Sequence, residues 1–191
     1  IIVTSSNAQH IINKIPKDQK IIFSPDKHLG RYLIKNTGRD MLLWDGSCVV
    51  HENFSEQELI KLKVRHSNAH IIAHPECPEN LLNYANHIGS TSSLIKYAAN
   101  NPGKEFIVLT EPGIFNEMRK RSPGSIFYEV PAISDSSCAN CSKCPYMKLN
   151  TLEKLYNCMV NKAPTIEVLE EIRLNAEKSL QTMLEMSSDI R

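Results

Sequence analysis

The feature that most limits what this chain can fold into is a repeat. Thr4-Ser5-Ser6 recurs as Thr91-Ser92-Ser93, and Ile21-Ile22-Phe23-Ser24-Pro25 is answered by Val108-Leu109-Thr110-Glu111-Pro112 at the same 87-residue offset. Similarity at a fixed period means that one supersecondary unit is used twice. In each copy, hydroxyl residues precede a helical stretch and a short apolar strand follows. Strands separated by helices favour parallel pairing through right-handed crossovers. Two α/β units are therefore expected, at residues 1–66 and 67–145, followed by C-terminal helices over 146–191. Each unit ends in a strand and then a loop carrying cysteine, at Cys48 in one and at Cys138 to Cys144 in the other. Units set face to face would bring their thiols to one site.

Strands are expected at Ile1-Ile2-Val3, Lys20–Ser24, Met41–Trp44, Ala69–Ala73, Phe106–Thr110 and Ile126–Val130. Helices are expected after Asn7, from Pro25-Asp26 to Gly38, from Ser55, around Leu81 to Ala85, after Ser90, over 114–120, over 148–160, and from Pro164-Thr165 onward. A start inside an apolar strand, with no initiator Met, points to a piece of a longer polypeptide.

Cys138-Ala139-Asn140-Cys141-Ser142-Lys143-Cys144-Pro145 spaces three of the six cysteines at equal intervals. A tight loop can turn such thiolates onto one centre. Iron–sulfur ligation fits the C-x2-C-x2-C part of the ferredoxin-type run, but Lys148 stands where a fourth cysteine would follow. Structural zinc wants four N or S donors, and no further His or Cys lies close by. A redox-active or unbonded thiol group is the third reading.

Charge excludes two classes of partner. Lys plus Arg number 22 against 21 Asp plus Glu, for a net charge of +1, so there is no basic field for nucleic acid and no polybasic tail for a membrane. The apolar runs are strand-length, far short of a bilayer span. Clustered cysteines without a visible secretory signal suggest a reducing, cytosolic setting.

Several residues have chemistry beyond the fold. The turn at Thr4-Ser5 offers hydroxyls and N–H groups to an anion, or is a plain helix cap. Cys48, after Gly46 at a strand's end, sits where parallel sheets place ligands, or is a small buried hydrophobe. His51 is a polar site residue or a satisfied core histidine. In His74-Pro75-Glu76-Cys77-Pro78, Pro75 drives His74 out of the α region. The imidazole and acid fixed there suit proton transfer, and a solvated turn is the alternative. Cys77 is a further possible ligand.

The ordered set Thr4-Ser5-Ser6-Asn7-Ala8, Pro25-Asp26-Lys27-His28-Leu29-Gly30, Trp44 to His51, His74-Pro75-Glu76, Gly89-Ser90-Thr91 and Cys144-Pro145-Tyr146-Met147 resembles the quinolinate synthase A family of bacterial NAD biosynthesis. The likeness runs from the first residue to the last helix, and the cysteine spacing is similar to that of the subgroup in enteric bacteria. It implies three-layer α/β sandwich domains with small parallel sheets about a pseudo-threefold axis. Residues 1–66 and 67–145 would be the second and third of these, the first being absent.

It also implies a [4Fe–4S] cluster ligated by Cys48 and Cys144, with the third ligand in the missing N-terminal domain. The implied reaction is a transferase condensation of iminoaspartate with dihydroxyacetone phosphate to quinolinate, losing phosphate and water. An iron left open by three thiolates would act as Lewis acid. Glu76 and His74 are the catalytic pair by this resemblance, and Thr4, Ser5, His51, His74, Pro75, Glu76, Ser90 and Thr91 line the substrate. Cys138 and Cys141 would form a redox or structural pair. An L-aspartate oxidase supplying iminoaspartate is the implied partner, and the fragment alone would be inactive. The competing reading is a non-catalytic α/β module, stabilised by zinc or iron–sulfur, that binds a phosphorylated metabolite.

Overall fold

The computed structural model describes residues 1–133 and 142–190; Cys138 and Cys141 lie outside these. In chain order the first elements are α1 (Ala8–Lys14), β1 (Ile22–Phe23), α2 (Lys27–Thr37) and β2 (Leu42–Leu43). Then come α3 (Val49–Glu52), α4 (Glu56–Arg65), β3 (His70–Ala73), α5 (Glu79–Leu82) and β4 (His87–Ile88). The repeat follows as α6 (Thr91–Ala99), β5 (Glu105–Leu109), α7 (Phe115–Arg121) and β6 (Ile126–Glu129), and α8 (Leu152–Asn161) and α9 (Glu170–Met186) close the chain. The order α1-β1-α2-β2 thus returns as α6-β5-α7-β6.

The strands form two small parallel sheets, β1-β2 and β4-β3-β5-β6. In the larger sheet, residues alternate between faces with a period of two. Ile71, Ala73, Ile107 and Leu109 pack with Leu59 of α4, Val50 and Val130. Ile72, Phe106 and Val108 pack on the other side with Leu94 of α6 and Phe115 and Met118 of α7. Helices cover both faces, which is why β3 and β5 read as continuous apolar runs. Leu59 and Leu94 are fully buried; truncating either to Ala costs about 2–5 kcal/mol.

The smaller sheet packs with α1 and α2 around Ala8, Ile12, Phe23, Leu29, Leu33 and Met41. Asp26 starts α2 by accepting from the N–H groups of His28 and Leu29. Gly38 ends it with φ of 65°, the left-handed conformation that glycine adopts without penalty. Gly30 has a different role. A Cβ there would lie 2.5 Å from Leu43 Cδ2, so a larger residue would have to push the Leu43 side chain aside for α2 to stay this close to β2.

Four boundaries differ from the sequence reading. Ile1-Ile2-Val3 has no strand partner among the described residues, and only Val3 of the three packs on the adjoining cluster. His87–Ile88, read as a connection, pairs with Ile72 and Ala73 as an edge strand. Helix α8 begins at Leu152 because Thr151 Oγ1 accepts from the N–H of Lys154 at 3.2 Å. Helix α9 starts at Glu170, not at Thr165, where Glu170 and Glu171 complement the positive end of the helix dipole.

Candidate active site at the carboxyl ends of the strands

Parallel α/β sheets bind ligands beyond the carboxyl ends of their strands. The polar residues of this chain collect there. Asp26 follows β1, Cys48 follows β2, His74 follows β3, Ser90 and Thr91 follow β4, and Thr110 follows β5. The N–H of Gly89 donates to the carbonyl of Ala73 at 3.1 Å, fixing the Ser90 turn beside the start of the His74 turn.

His51 is the centre of the constellation. It is buried, with Nδ1 3.0 Å from Glu76 Oε2 and Nε2 3.0 Å from Thr110 Oγ1. Its ring stacks on His74, with centroids 4.6 Å apart and planes within 15°. The Glu76 N–H donates to His74 Nδ1 at 3.3 Å, so His74 carries its proton on Nε2 and donates it to Ser5 Oγ at 3.1 Å. Residues 69 apart in sequence are joined by that last bond.

The two imidazoles are driven in opposite directions. Burial pulls His51 down, but Cys48 and Glu76 beside it outweigh this and raise its pKa to about 9. Burial and the His51 charge push His74 down to about 4, against the opposing pull of Glu76. The pair therefore carries one positive charge near neutral pH, on His51. Burial raises the Glu76 carboxyl, yet the His51 hydrogen bond and the neighbouring charges bring it below its ordinary value. Cys48 behaves alike: burial raises the thiol and His51 lowers it further, leaving a net depression. Donor atoms of Cys48, His51 and Glu76 all lie within 4.8 Å of one another.

Asp26 holds the cysteine loop in place. Its Oδ2 accepts from the N–H of Cys48 at 2.7 Å while Oδ1 caps α2. The N–H of Lys27 donates to Gly46 at 2.8 Å, and His28 Nε2 meets Glu52 Oε2 at 2.7 Å. The first turn of α2 thus grips the loop from residue 46 to residue 52 at three points.

The structure brings together Ser5, Cys48, His51, His74 and Glu76. It does not bond Thr4 or the Ser90-Thr91 turn to them. Thr4 turns its hydroxyl and N–H onto Asn7 Oδ1, and Ser90 Oγ caps α6 by accepting from Ser93 N–H. Thr91 is exposed. Cys77 is fully buried and donates to the carbonyl of Leu109 at 3.4 Å, so Cys48 is the better placed thiol. Cys144 is half-buried and borders the same apolar cluster as Cys48, but stands outside the Cys48–His51–Glu76 group. After it, Lys148 Nζ approaches Glu111 Oε1 at 3.4 Å.

Thr110 and Asp26 were not singled out from the sequence. The repeat does place Thr110 opposite Phe23, just before a Pro-bearing turn, and that is the one available signal. A cavity of about 310 Å³ lies beside this site, between α2 and α5, lined by His28, Tyr32, Cys77, Leu82 and Ile88. None of Cys48, His51, His74 or Glu76 lines it, and the chemistry belongs to the strand ends.

Residues 1–185 match the family described as quinolinate synthetase A protein. A quinolinate synthase of Ehrlichia chaffeensis is 54% identical over 187 residues, covering 98% of this chain and 60% of the relative. Those of Nostoc punctiforme and Trichodesmium erythraeum are 56% and 55% identical, and in each the matched part is 57% of the relative. The chain thus spans somewhat under two thirds of the length of these curated relatives. With the likeness unbroken along nearly all its residues, the chain belongs to the quinolinate synthetase A protein family.

Proposed function

We propose that this chain is the part of a quinolinate synthase that supplies its His74–Glu76 acid–base pair and its Ser/Thr carboxylate-binding turns. In this reading residues 1–66 and 67–145 are the second and third of three related α/β units. The whole protein condenses iminoaspartate with dihydroxyacetone phosphate to quinolinate, in the cytoplasm, with an L-aspartate oxidase as the source of iminoaspartate. The observation that carries the reading is the connected set Ser5, His74, His51 and Glu76 at the strand ends, beside the depressed thiol of Cys48.

The donor set fits a thiolate-bound metal centre. Cys48 and Cys144 are half-buried free thiols bordering one apolar cluster, and His51 lowers the Cys48 thiol below its ordinary pKa. These two would hold the [4Fe–4S] group, with a further cysteine from outside this sequence, as the family resemblance implies. When bound, the group supplies a Lewis-acidic iron.

The chain's own residues do the remainder. His51, cationic near neutral pH, donates to Glu76 and holds that carboxylate in one orientation. Glu76 accepts a proton from the condensing substrate and returns it as water leaves. His74, neutral, keeps Ser5 Oγ as an acceptor of its Nε2 proton, so the Ser5 hydroxyl proton points at a substrate carboxylate. The Thr4-Ser5 and Ser90-Thr91 turns bind oxyanions through hydroxyls and N–H groups. Cys138 and Cys141 serve as a redox or structural pair.

The test uses the polypeptide with its natural upstream region, reconstituted anaerobically and supplied with both substrates. Quinolinate should form, and Glu76→Gln should lower kcat by about 10²–10⁴, the usual scale of general acid–base catalysis. Bound metal without turnover in the unsubstituted protein would instead support a non-catalytic module.

A further inference from the structure

We propose that Glu111 is a positioning residue for Cys144, as Asp26 is for Cys48. The inference rests on the reading above in which Cys144 holds the metal group, and it extends that reading to a residue outside the Cys48–His51–Glu76 group.

The 87-residue repeat sets Ser24-Pro25 against Glu111-Pro112. The first unit carries its acid just after the proline, at Asp26, and the second just before it, at Glu111. Each carboxylate divides its two oxygens in the same way. Asp26 Oδ1 accepts from the N–H groups of His28 and Leu29, and Oδ2 from the N–H of Cys48. Glu111 Oε2 accepts from the N–H of Gly113 at 2.6 Å, and Oε1 faces Lys148 Nζ at 3.4 Å. In both units one oxygen fastens the turn after the strand, and the other reaches the segment that carries the cysteine.

The second oxygen makes Glu111 more than a cap. Its side chain is only 13% exposed, and Oε1 is buried with no hydrogen-bond donor among the described residues. A buried carboxylate oxygen is costly unless a donor or cation serves it. Lys148 is itself more than half exposed, so it brings that charge with little desolvation.

The path from Lys148 to the sulfur is short. The N–H of Lys148 donates to the Cys144 carbonyl at 3.2 Å, and the N–H of Met147 to Cys144 Sγ at 3.5 Å. Pro145, next to the cysteine, has a fixed φ and stiffens the link. On the other side the buried Ser142 donates its hydroxyl to Glu129, the last residue of β6. Strands β5 and β6 are paired neighbours. Adjacent strand ends thus hold residues 142 and 148, and Cys144 is fixed between them.

Glu111→Gln keeps an oxygen for the Gly113 N–H and removes the charge that faces Lys148. Lys148→Met keeps the stem and removes the cation. In the full metal-free chain, each should speed amide exchange at Met147 and Lys148 by about 3–10-fold, with β3 and β5 unmoved. The two substitutions together should do no more than the larger single effect, since both break one contact. Loss of the cap alone would show at Gly113 and not at Met147. Unchanged exchange at Met147 and Lys148 in Glu111→Gln, or full additivity in the pair, overturns the proposal. If Glu111→Gln does not fold, Lys148→Met decides by the same amides, because it leaves the Gly113 cap in place. A second measurement uses the polypeptide with its natural upstream region, reconstituted anaerobically. Glu111→Gln should hold iron about 10–100-fold less tightly against a chelator, the range for partners behind a ligand. Iron held as tightly as in the unsubstituted protein overturns the positioning role. An unsubstituted protein that builds no cluster counts against the proposed function alone, and the exchange at Met147 and Lys148 still decides how Cys144 is held.

Discussion

Cys48 and Cys77 differ by environment, not by residue type. Burial without a stabilising cation drives the Cys77 thiol well up, and the negative charge of Glu76 adds to it. At Cys48 the adjoining His51 reverses the effect of burial. Alkylation depends on the thiolate and on access. In the metal-free chain at neutral pH, iodoacetamide should modify Cys48 quickly and leave Cys77 unmodified until the chain unfolds, as peptide mass mapping would record. Labelling of Cys77 at the rate of Cys48 would contradict the placement. His74 and Glu76 were legible from the sequence because they share one proline-locked turn. Thr110 was not, since its partner His51 is 59 residues away, and no local pattern announces a bond of that length. The second oxygen of Asp26 was equally hidden: its capping role can be read from Pro25-Asp26, but its hold on Cys48, 22 residues on, cannot.

Two couplings decide how the elements hold the site. Asp26 joins α2 to the Cys48 loop from a buried position, so Asp26→Ala removes a cap and strands the N–H of Cys48. The expected loss is about 1–3 kcal/mol in urea unfolding. Asp26→Asn keeps a capping oxygen and should lose less, with its effect concentrated in the resonances of residues 46–52. Equal losses for the two variants would deny the second oxygen a role. The other coupling ties α9 to α1. Lys14 Nζ bonds Asp189 Oδ1 at 2.8 Å and the Met186 carbonyl at 2.9 Å, and His10 Nε2 reaches the same Asp189 oxygen at 2.9 Å. The Lys14 hydrogen bond is the chief cause that lowers Asp189 from 3.8 to about 2. A depressed carboxyl adds stability that is complete above its unfolded value and is lost as pH falls. The docking of α9 should therefore hold above pH 3.8 and loosen toward pH 2. Asp189→Asn at neutral pH should move the amide resonances around Ser187 in the same way and leave β3 and β5 unmoved. The repeat made the helix–strand order legible. Thr151 and the short edge strand β4 escaped it because they lie outside the repeated stretches.

At the scale of the molecule, the sequence reveals the amphipathic stripe of α8 but not what meets it. Leu152, Leu155, Tyr156 and Met159 fall at helical spacing on one face. Yet Leu152 is 86% exposed and Met159 71%, and Leu155 and Tyr156 are also open to solvent. Trp44, Ile22 and Leu42 of the smaller sheet are exposed as well. A stripe that buries little within its own chain contributes little to folding, however apolar it is, because the hydrophobic contribution scales with area removed from water. Contiguous exposed apolar surface of this kind attracts hydrophobic dyes and promotes association. Leu155→Glu with Met159→Glu should therefore reduce dye binding and concentration-dependent light scattering. It should change the unfolding free energy by no more than about 0.5 kcal/mol, the scale of surface substitutions. Leu59→Ala is the counterpart in the same chain. It should cost about 2–5 kcal/mol while leaving native-state dye binding to α8 intact, because Leu59 is sealed between α4 and the larger sheet. A large loss of stability from the α8 pair would mean that α8 packs on the body of the chain.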